Sequence, residues 1–171
     1  MINNFFTSNK DKSNINQTNA IKSHKVNINA GPNFKLQFDG CSKSNPGLAG
    51  AGAVIYDNIK NVEIWSGSEF IGTDITNNYA EYMGLIIGLK KAEEMKIKQL
   101  IVEGDSMLVI KQMNGEYKVK SLHLIDLHNE AKLLAKKFEC IHYKHIYRNN
   151  NKRADELSNI AVDNYLCKNG I

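Results

Sequence analysis

Four acidic residues in this chain each stand in a local pattern that would let them act together. Asp39 closes the run FKLQFDG, Glu81 lies in TNNYAEY, Asp105 in LIVEGDS and Asp155 in NKRADELSN. Two of them end apolar, strand-like runs, a third lies in the opening turns of a helical pattern and the fourth at another helix start. Such placement can gather four carboxylates at one edge of a sheet. Like charges a few ångströms apart raise one another's pKa, so the cluster is costly near neutral pH unless cations enter it. Carboxylate oxygens suit hard divalent ions, Mg²⁺ first and Mn²⁺ second. A two-metal site of this kind serves in-line displacement at phosphorus. Taken singly, each acid has a plainer explanation. Asp39 followed by Gly40 suits a tight turn, Glu81 suits the positive end of a helix dipole, Asp105 suits a helix cap, and Asp155 suits a solvated helix face beside Arg153 and Glu156.

The elements that would position these acids follow from the periodicity. Phe34–Asp39 alternates, with Phe34, Leu36 and Phe38 on one face. Ala49–Asp57 and Val62–Phe70 read as two further strands, the first joined to its predecessor through the Asn45-Pro46-Gly47 turn. Asn77–Met95 is a long helix whose Ala80, Gly84 and Gly88 form a small-residue stripe for close approach to the sheet. Lys98–Glu103 is a nearly continuous apolar run, as expected of a strand covered on both faces. Asp105–Asn114, closed by Gly115, is a short helix, and Ser121–Phe138 a longer one with Leu124, Leu127, Ala131 and Leu134 inward. Cys140–Arg148 is the last strand and Asn151–Leu166 the last helix. Three meandering strands followed by helix, strand, two helices, strand and helix imply an α/β fold, a mixed sheet flanked by helices.

Composition bounds the rest. At 171 residues and 42% hydrophobic content the chain is one domain with a sizeable core. A formal net charge of +4 suits a nucleic-acid partner without requiring one. Residues 1–33 are rich in Asn, Ser and Lys and are expected to be a disordered tail preceding a domain at 34–171. Four lysines (Lys10, Lys12, Lys22, Lys25) against Asp11 give this tail a net +3. Charges so sparse attract phosphate only modestly, which favours a solvated tail over an electrostatic tether. Cys41, Cys140 and Cys167 contain no CxxC pair and are expected to be reduced thiols of an intracellular, reducing compartment. The opening MINNFFTSNK carries no apolar signal region, and no stretch approaches a membrane span.

The combined motifs resemble those of type 1 ribonuclease H, which cuts the RNA strand of an RNA–DNA hybrid. The resemblance runs from about Phe34 to about Tyr165. It rests on the order of the four acids, the DG-x-S-x-x-NPG loop (Asp39, Gly40, Ser42, Asn45, Pro46, Gly47), the TNN-x-x-E helix start, and the N-x-x-AD-x-L-x-N-x-A helix. It implies a five-stranded sheet of order 3-2-1-4-5 with the first three strands antiparallel, and an RNA–DNA hybrid as the nucleic-acid partner. It also implies that Asp39 bridges two Mg²⁺ ions, that Glu81 holds the ion at the leaving oxygen, and that Asp105 and the more labile Asp155 serve the ion that activates water. Substrate contacts fall by resemblance on Gly40, Cys41, Ser42 and Asn45, on Thr76 toward a DNA phosphate, and on Asn77 and Asn78 in the minor groove. Arg148, seven residues before Asp155, resembles the branch with Arg where longer relatives carry a product-releasing His. His145 is expected in or beside the strand rather than in catalysis.

Two departures from the better-known pattern stand out. Met107 replaces a Gln that contacts the hybrid, and KQMNGEYKVKS passes straight into the next helix, so the basic protrusion of longer relatives is missing. Lys111, Lys118 and Lys120 supply some positive charge there. Alternatives on the same fold are a non-catalytic nucleic-acid-binding module and another nuclease of the superfamily; loss of an acid would favour the first, and different acid spacing the second.

Overall fold

The structure, a computed structural model, describes residues 32–170. The expected disordered tail falls outside the described residues except for Pro32 and Asn33. The Asn33 carbonyl accepts the Asn58 N–H at 2.8 Å, which ties the start of the domain to a neighbouring turn.

Three antiparallel strands come first: β1 (Phe34–Lys43), β2 (Gly47–Asp57) and β3 (Val62–Ile75). Helix α1 (Asn77–Glu94) follows, then β4 (Gln99–Gly104), α2 (Met107–Met113), α3 (Leu122–Ala135), β5 (Cys140–His145), a single 3-10 turn (Arg148–Asn150) and α4 (Lys152–Asn169). The sheet order is β3-β2-β1-β4-β5, with β1, β4 and β5 mutually parallel, as expected. Among the described residues no helix is long and apolar enough to cross a membrane.

Helices cover both faces of the sheet. Leu36 and Phe38 of β1, Val102 of β4, and Tyr82, Leu85 and Leu89 of α1 are fully buried together on one face. Full burial of such a side chain contributes about 1.5–3 kcal/mol of transfer free energy, so this layer fixes α1 firmly against β1. The small-residue stripe of α1 does what the spacing predicts. A Cβ added at Gly84 would lie 2.5 Å from the Asp39 carbonyl oxygen, so only glycine permits this approach. On the opposite face, Ala154 and Leu157 of α4 pack on Val54 of β2.

Element ends differ from the sequence expectation for physical reasons. β1 runs on to Lys43 and β3 to Ile75, because β2 pairs with both along its whole length, through register shifts near Gly47 and Ala49. The last strand stops at His145 and not at Arg148. Its partner β4 ends at Gly104, opposite His145, and beyond the Ile146 N–H bond to the Gly104 carbonyl there is nothing to pair with. The short helix starts at Met107 rather than Asp105, since Ser106 is its N-cap and accepts the Val109 N–H. Helix α2 leads to α3 across residues 114–121 with no further helix, as expected for a chain without the protrusion.

Candidate metal centre and nucleic-acid cleft

The site is built where β1 outlasts β4. Pairing of the two parallel strands ends at Phe38 and Gly104, so Asp39 is the first β1 residue without a β4 partner and Asp105 the first residue beyond β4. Ligands of open α/β sheets bind at such carboxyl ends of neighbouring parallel strands. The amide of Asn151 fills the gap, donating to the Phe38 carbonyl at 2.8 Å and to Asp105 Oδ1 at 2.9 Å. Helix α1 delivers Glu81 from the other side. Its approach depends on Gly40, where an added Cβ would lie 2.1 Å from the Glu81 backbone nitrogen.

The result is three carboxylates, from Asp39, Glu81 and Asp105, with oxygens within 4.8 Å of one another. Asp39 and Glu81 are only 5% and 6% exposed. Burial first, then the charges of Asp105 and Asp155, pushes the Asp39 carboxyl up to about 7, against the opposing effect of the Ser158 hydroxyl, 2.6 Å from Oδ2, and the Arg148 charge. Burial, then Asp39 and Asp105, pushes Glu81 well above the usual carboxylate range, although the Gly40 N–H and the Asn77 amide support its charged form. Glu81 Oε2 is buried without a hydrogen-bond partner. Unpartnered acceptors facing like charges mark a set of oxygens suited to a hard divalent cation.

Asp155 lies beside this set, in the first turn of α4, and its carboxylate is engaged by the Arg148 guanidinium. That contact holds the Arg148 pKa up, with further help from the charges of Asp39 and Asp105. All four acids, Gly40, Cys41, Ser42, Asn77 and Arg148 line one cleft of about 280 Å³. Asn45, Thr76 and Asn78 line a neighbouring groove of about 620 Å³ with Tyr79, Ser121 and His123. The expected substrate contacts thus divide between two adjoining depressions. Asn45 and Thr76 also have local work: Asn45 Oδ1 accepts the Asn77 N–H at 2.9 Å, and Thr76 Oγ1 accepts the Tyr79 N–H as the cap of α1. Ser42 Oγ donates to the Ile75 carbonyl at 2.7 Å, joining the end of β1 to the end of β3 just before α1. Met107 is 43% exposed. His145 ends β5, its ring nitrogen 3.2 Å from the Asp105 carbonyl, outside the set of cleft-lining residues.

Sequence reasoning left three site residues without a role. Asn151 and Asn159 stand in the quoted α4 motif, yet nothing in the pattern distinguishes a buried amide from a helix-start residue. Ser158, which bonds Asp39, carries no local signal at all.

A mixed 3-2-1-4-5 sheet with an acidic crevice at the shared end of β1 and β4 defines the ribonuclease H-like class of fold. A family model described as reverse transcriptase-like matches residues 37–161. Ribonuclease HI of Halobacterium salinarum is 34% identical over 138 residues, which span 81% of this chain and 68% of that protein. The bifunctional protein Rv2228c of Mycobacterium tuberculosis is 41% identical over 128 residues, 75% of this chain but only 35% of the relative, so the chain spans about a third of that protein's length. The solved N-terminal RNase H domain of Rv2228c superposes with a TM-score of 0.76 at 37% identity, covering 82% of this chain and 100% of the solved one. LC11-RNase H1, solved in complex with an RNA/DNA hybrid, gives 0.73 at 35% identity, covering 78% and 99%. This chain belongs to the type 1 ribonuclease H family.

Proposed function

We propose that the chain is a metal-dependent endonuclease that hydrolyses the RNA strand of RNA–DNA hybrids, using two Mg²⁺ ions, with Mn²⁺ as a substitute. The observation that carries this reading is the trio Asp39, Glu81 and Asp105, gathered within 4.8 Å with Glu81 Oε2 buried and unpartnered. A charged cluster of this kind is hard to maintain for stability alone. All four acids are present, which counts against a non-catalytic binding module.

Asp39 is central and would contribute oxygens to both ions, with Glu81 on the leaving-group side and Asp105 and Asp155 on the water side. Bound divalent ions supply Lewis-acid stabilisation of the phosphorane-like charge and an activated water. The chain's own residues set the geometry. Ser158 and Asn151 orient Asp39 and Asp105, and the α1 backbone under Gly40 fixes Glu81. The backbone of residues 40–42, with Asn45, Asn77 and Asn78, is suited to reading the RNA strand through its 2′-hydroxyls. Thr76, which lines the adjoining groove, is suited to a phosphate of the DNA strand. Arg148 lines the metal cleft and is suited to steer the released product. The hybrid as substrate is supported by the family and by the relative crystallised with one. A monomer in a reducing, intracellular compartment completes the proposal; the described cysteines Cys41, Cys140 and Cys167 are all free thiols.

The deciding assay offers a labelled hybrid, single-stranded RNA, duplex RNA and duplex DNA to the full chain, with Mg²⁺ and with chelator. Cleavage confined to the RNA of the hybrid and abolished by chelator is expected. Equal cleavage of duplex RNA, or full activity in chelator, would refute the reading.

A further inference from the structure

Asp155 differs from the other three acids in what holds it. Asp39, Glu81 and Asp105 face one another, whereas the Asp155 carboxylate is taken by Nη2 of Arg148. The backbone beneath Asp155 is fixed. The Asn159 amide donates to its carbonyl at 2.7 Å, and Ser158 Oγ, which bonds Asp39, lies 2.9 Å from the same oxygen. The side chain of Asp155 is therefore the adjustable part, and its choice is between a guanidinium and an ion. Arg148 can leave readily, being 75% exposed on the 3-10 turn between β5 and α4.

We propose that Arg148 is a positioning residue that competes with the second divalent ion for Asp155: its guanidinium is the fourth acid's counter-ion in the ion-free chain and must release the carboxylate before Asp155 can act as a ligand. The inference rests on the two-ion reading above. It makes the fourth acid conditional. The trio of Asp39, Glu81 and Asp105 is ready for a first ion, while the second must displace a cation already in place. An exposed ion pair shifts such a competition by no more than about fivefold, so the latch delays the second ion without excluding it. A substrate phosphate, which also attracts guanidinium, would help to open it.

The test counts Mn²⁺ ions bound to the full chain without nucleic acid, from the electron paramagnetic resonance of the free ion. Arg148→Gln is expected to tighten the second ion by about fivefold and to leave the first nearly unchanged; where the parent takes up one ion in the accessible range, this variant takes up two. Arg148→Lys, which keeps charge but loses the planar fork, falls between. In an Asp155→Asn background Arg148→Gln should change neither ion. Equal tightening of both ions, tightening that persists with Asp155→Asn, or no change at all overturns the proposal. Hybrid cleavage by the parent chain is scored separately. A chain that cleaves but shows no Arg148 effect loses the latch and keeps the function, whereas one that takes up no Mn²⁺ and cleaves no hybrid loses both.

Discussion

Asp39→Asn offers a test in which stability and activity move in opposite directions. In the ion-free chain the Asp39 carboxyl is raised from 3.8 to about 7, chiefly by burial. A carboxyl with a raised folded pKa holds its proton in the fold while the unfolded chain has already lost it, so stability falls as pH rises from about 4 through 7. The shift of about three units, at about 1.4 kcal/mol each, puts the cost of ionised Asp39 near 4 kcal/mol at pH 8 as an upper bound. Asn keeps the shape, still accepts the Ser158 hydroxyl through its carbonyl oxygen, and removes that cost. It also relieves Glu81 of the like charge that acts on it most strongly. Urea denaturation with chelator should therefore find Asp39→Asn more stable than the parent at pH 8, by up to about 4 kcal/mol, with less than half of that gain at pH 5. Hybrid cleavage in saturating Mg²⁺ should be lost while hybrid binding persists, because the bridging charge is gone. A variant no more stable at pH 8 would show that the ion-free carboxylate is not strained by burial. Near-normal turnover would remove the two-metal assignment.

Three further substitutions probe the frame of the site. Asn151→Ala leaves the Phe38 carbonyl and Asp105 without their amide donor and should cost about 1–3 kcal/mol in urea denaturation, with a raised Mg²⁺ requirement for cleavage; unchanged stability would mean that water replaces the amide freely. Gly40→Ala sets a Cβ 2.1 Å from the Glu81 nitrogen, so α1 must shift; melting temperature and cleavage should fall together, and a variant that retains both would refute the close packing. Met107→Gln adds an amide at an exposed position that opens α2 and should lower KM about fivefold, the equivalent of one hydrogen bond of about 1 kcal/mol, at unchanged kcat; an unchanged or raised KM would show that α2 presents this position away from the hybrid.

Asp39, Asp105 and Glu81 were legible because local sequence sets their place. An alternating run ends at one, a buried apolar run at the next, and the third lies one turn into a helix whose Gly84 and Gly88 declare which face meets the sheet. The same reasoning found the short α2–α3 passage, where the chain simply has too few residues for another element. It misplaced Arg148, since the length of β5 depends on where β4 stops and not on the residues of β5 itself. It could not find Ser158 or the role of Asn151, whose hydrogen bonds to β1 cross 119 and 113 residues of chain. A serine within a helix turn or an asparagine before one carries no periodic signal, and only the packing of α4 across the sheet shows which atoms they meet.

That packing also explains how the chain tolerates its own site. Asp39 and Glu81 are held in low dielectric by elements that cannot yield, because β1 and α1 are locked through Leu36, Phe38, Leu85 and Leu89. Helix α4 is fixed independently, by Ala154 and Leu157 on Val54, and brings the Ser158 hydroxyl to Asp39 as one of the few groups that favour its charge. Asp39 and Glu81 are thus placed by apolar contacts at some distance from them, and protons or an incoming cation would relieve the repulsion that they share with Asp105. Asp155 sits on the same helix but at its exposed start, where an Arg148 side chain suffices as counter-ion. The four acids therefore divide into three that face one another across β1, α1 and the end of β4, and one on α4 that is paired with Arg148.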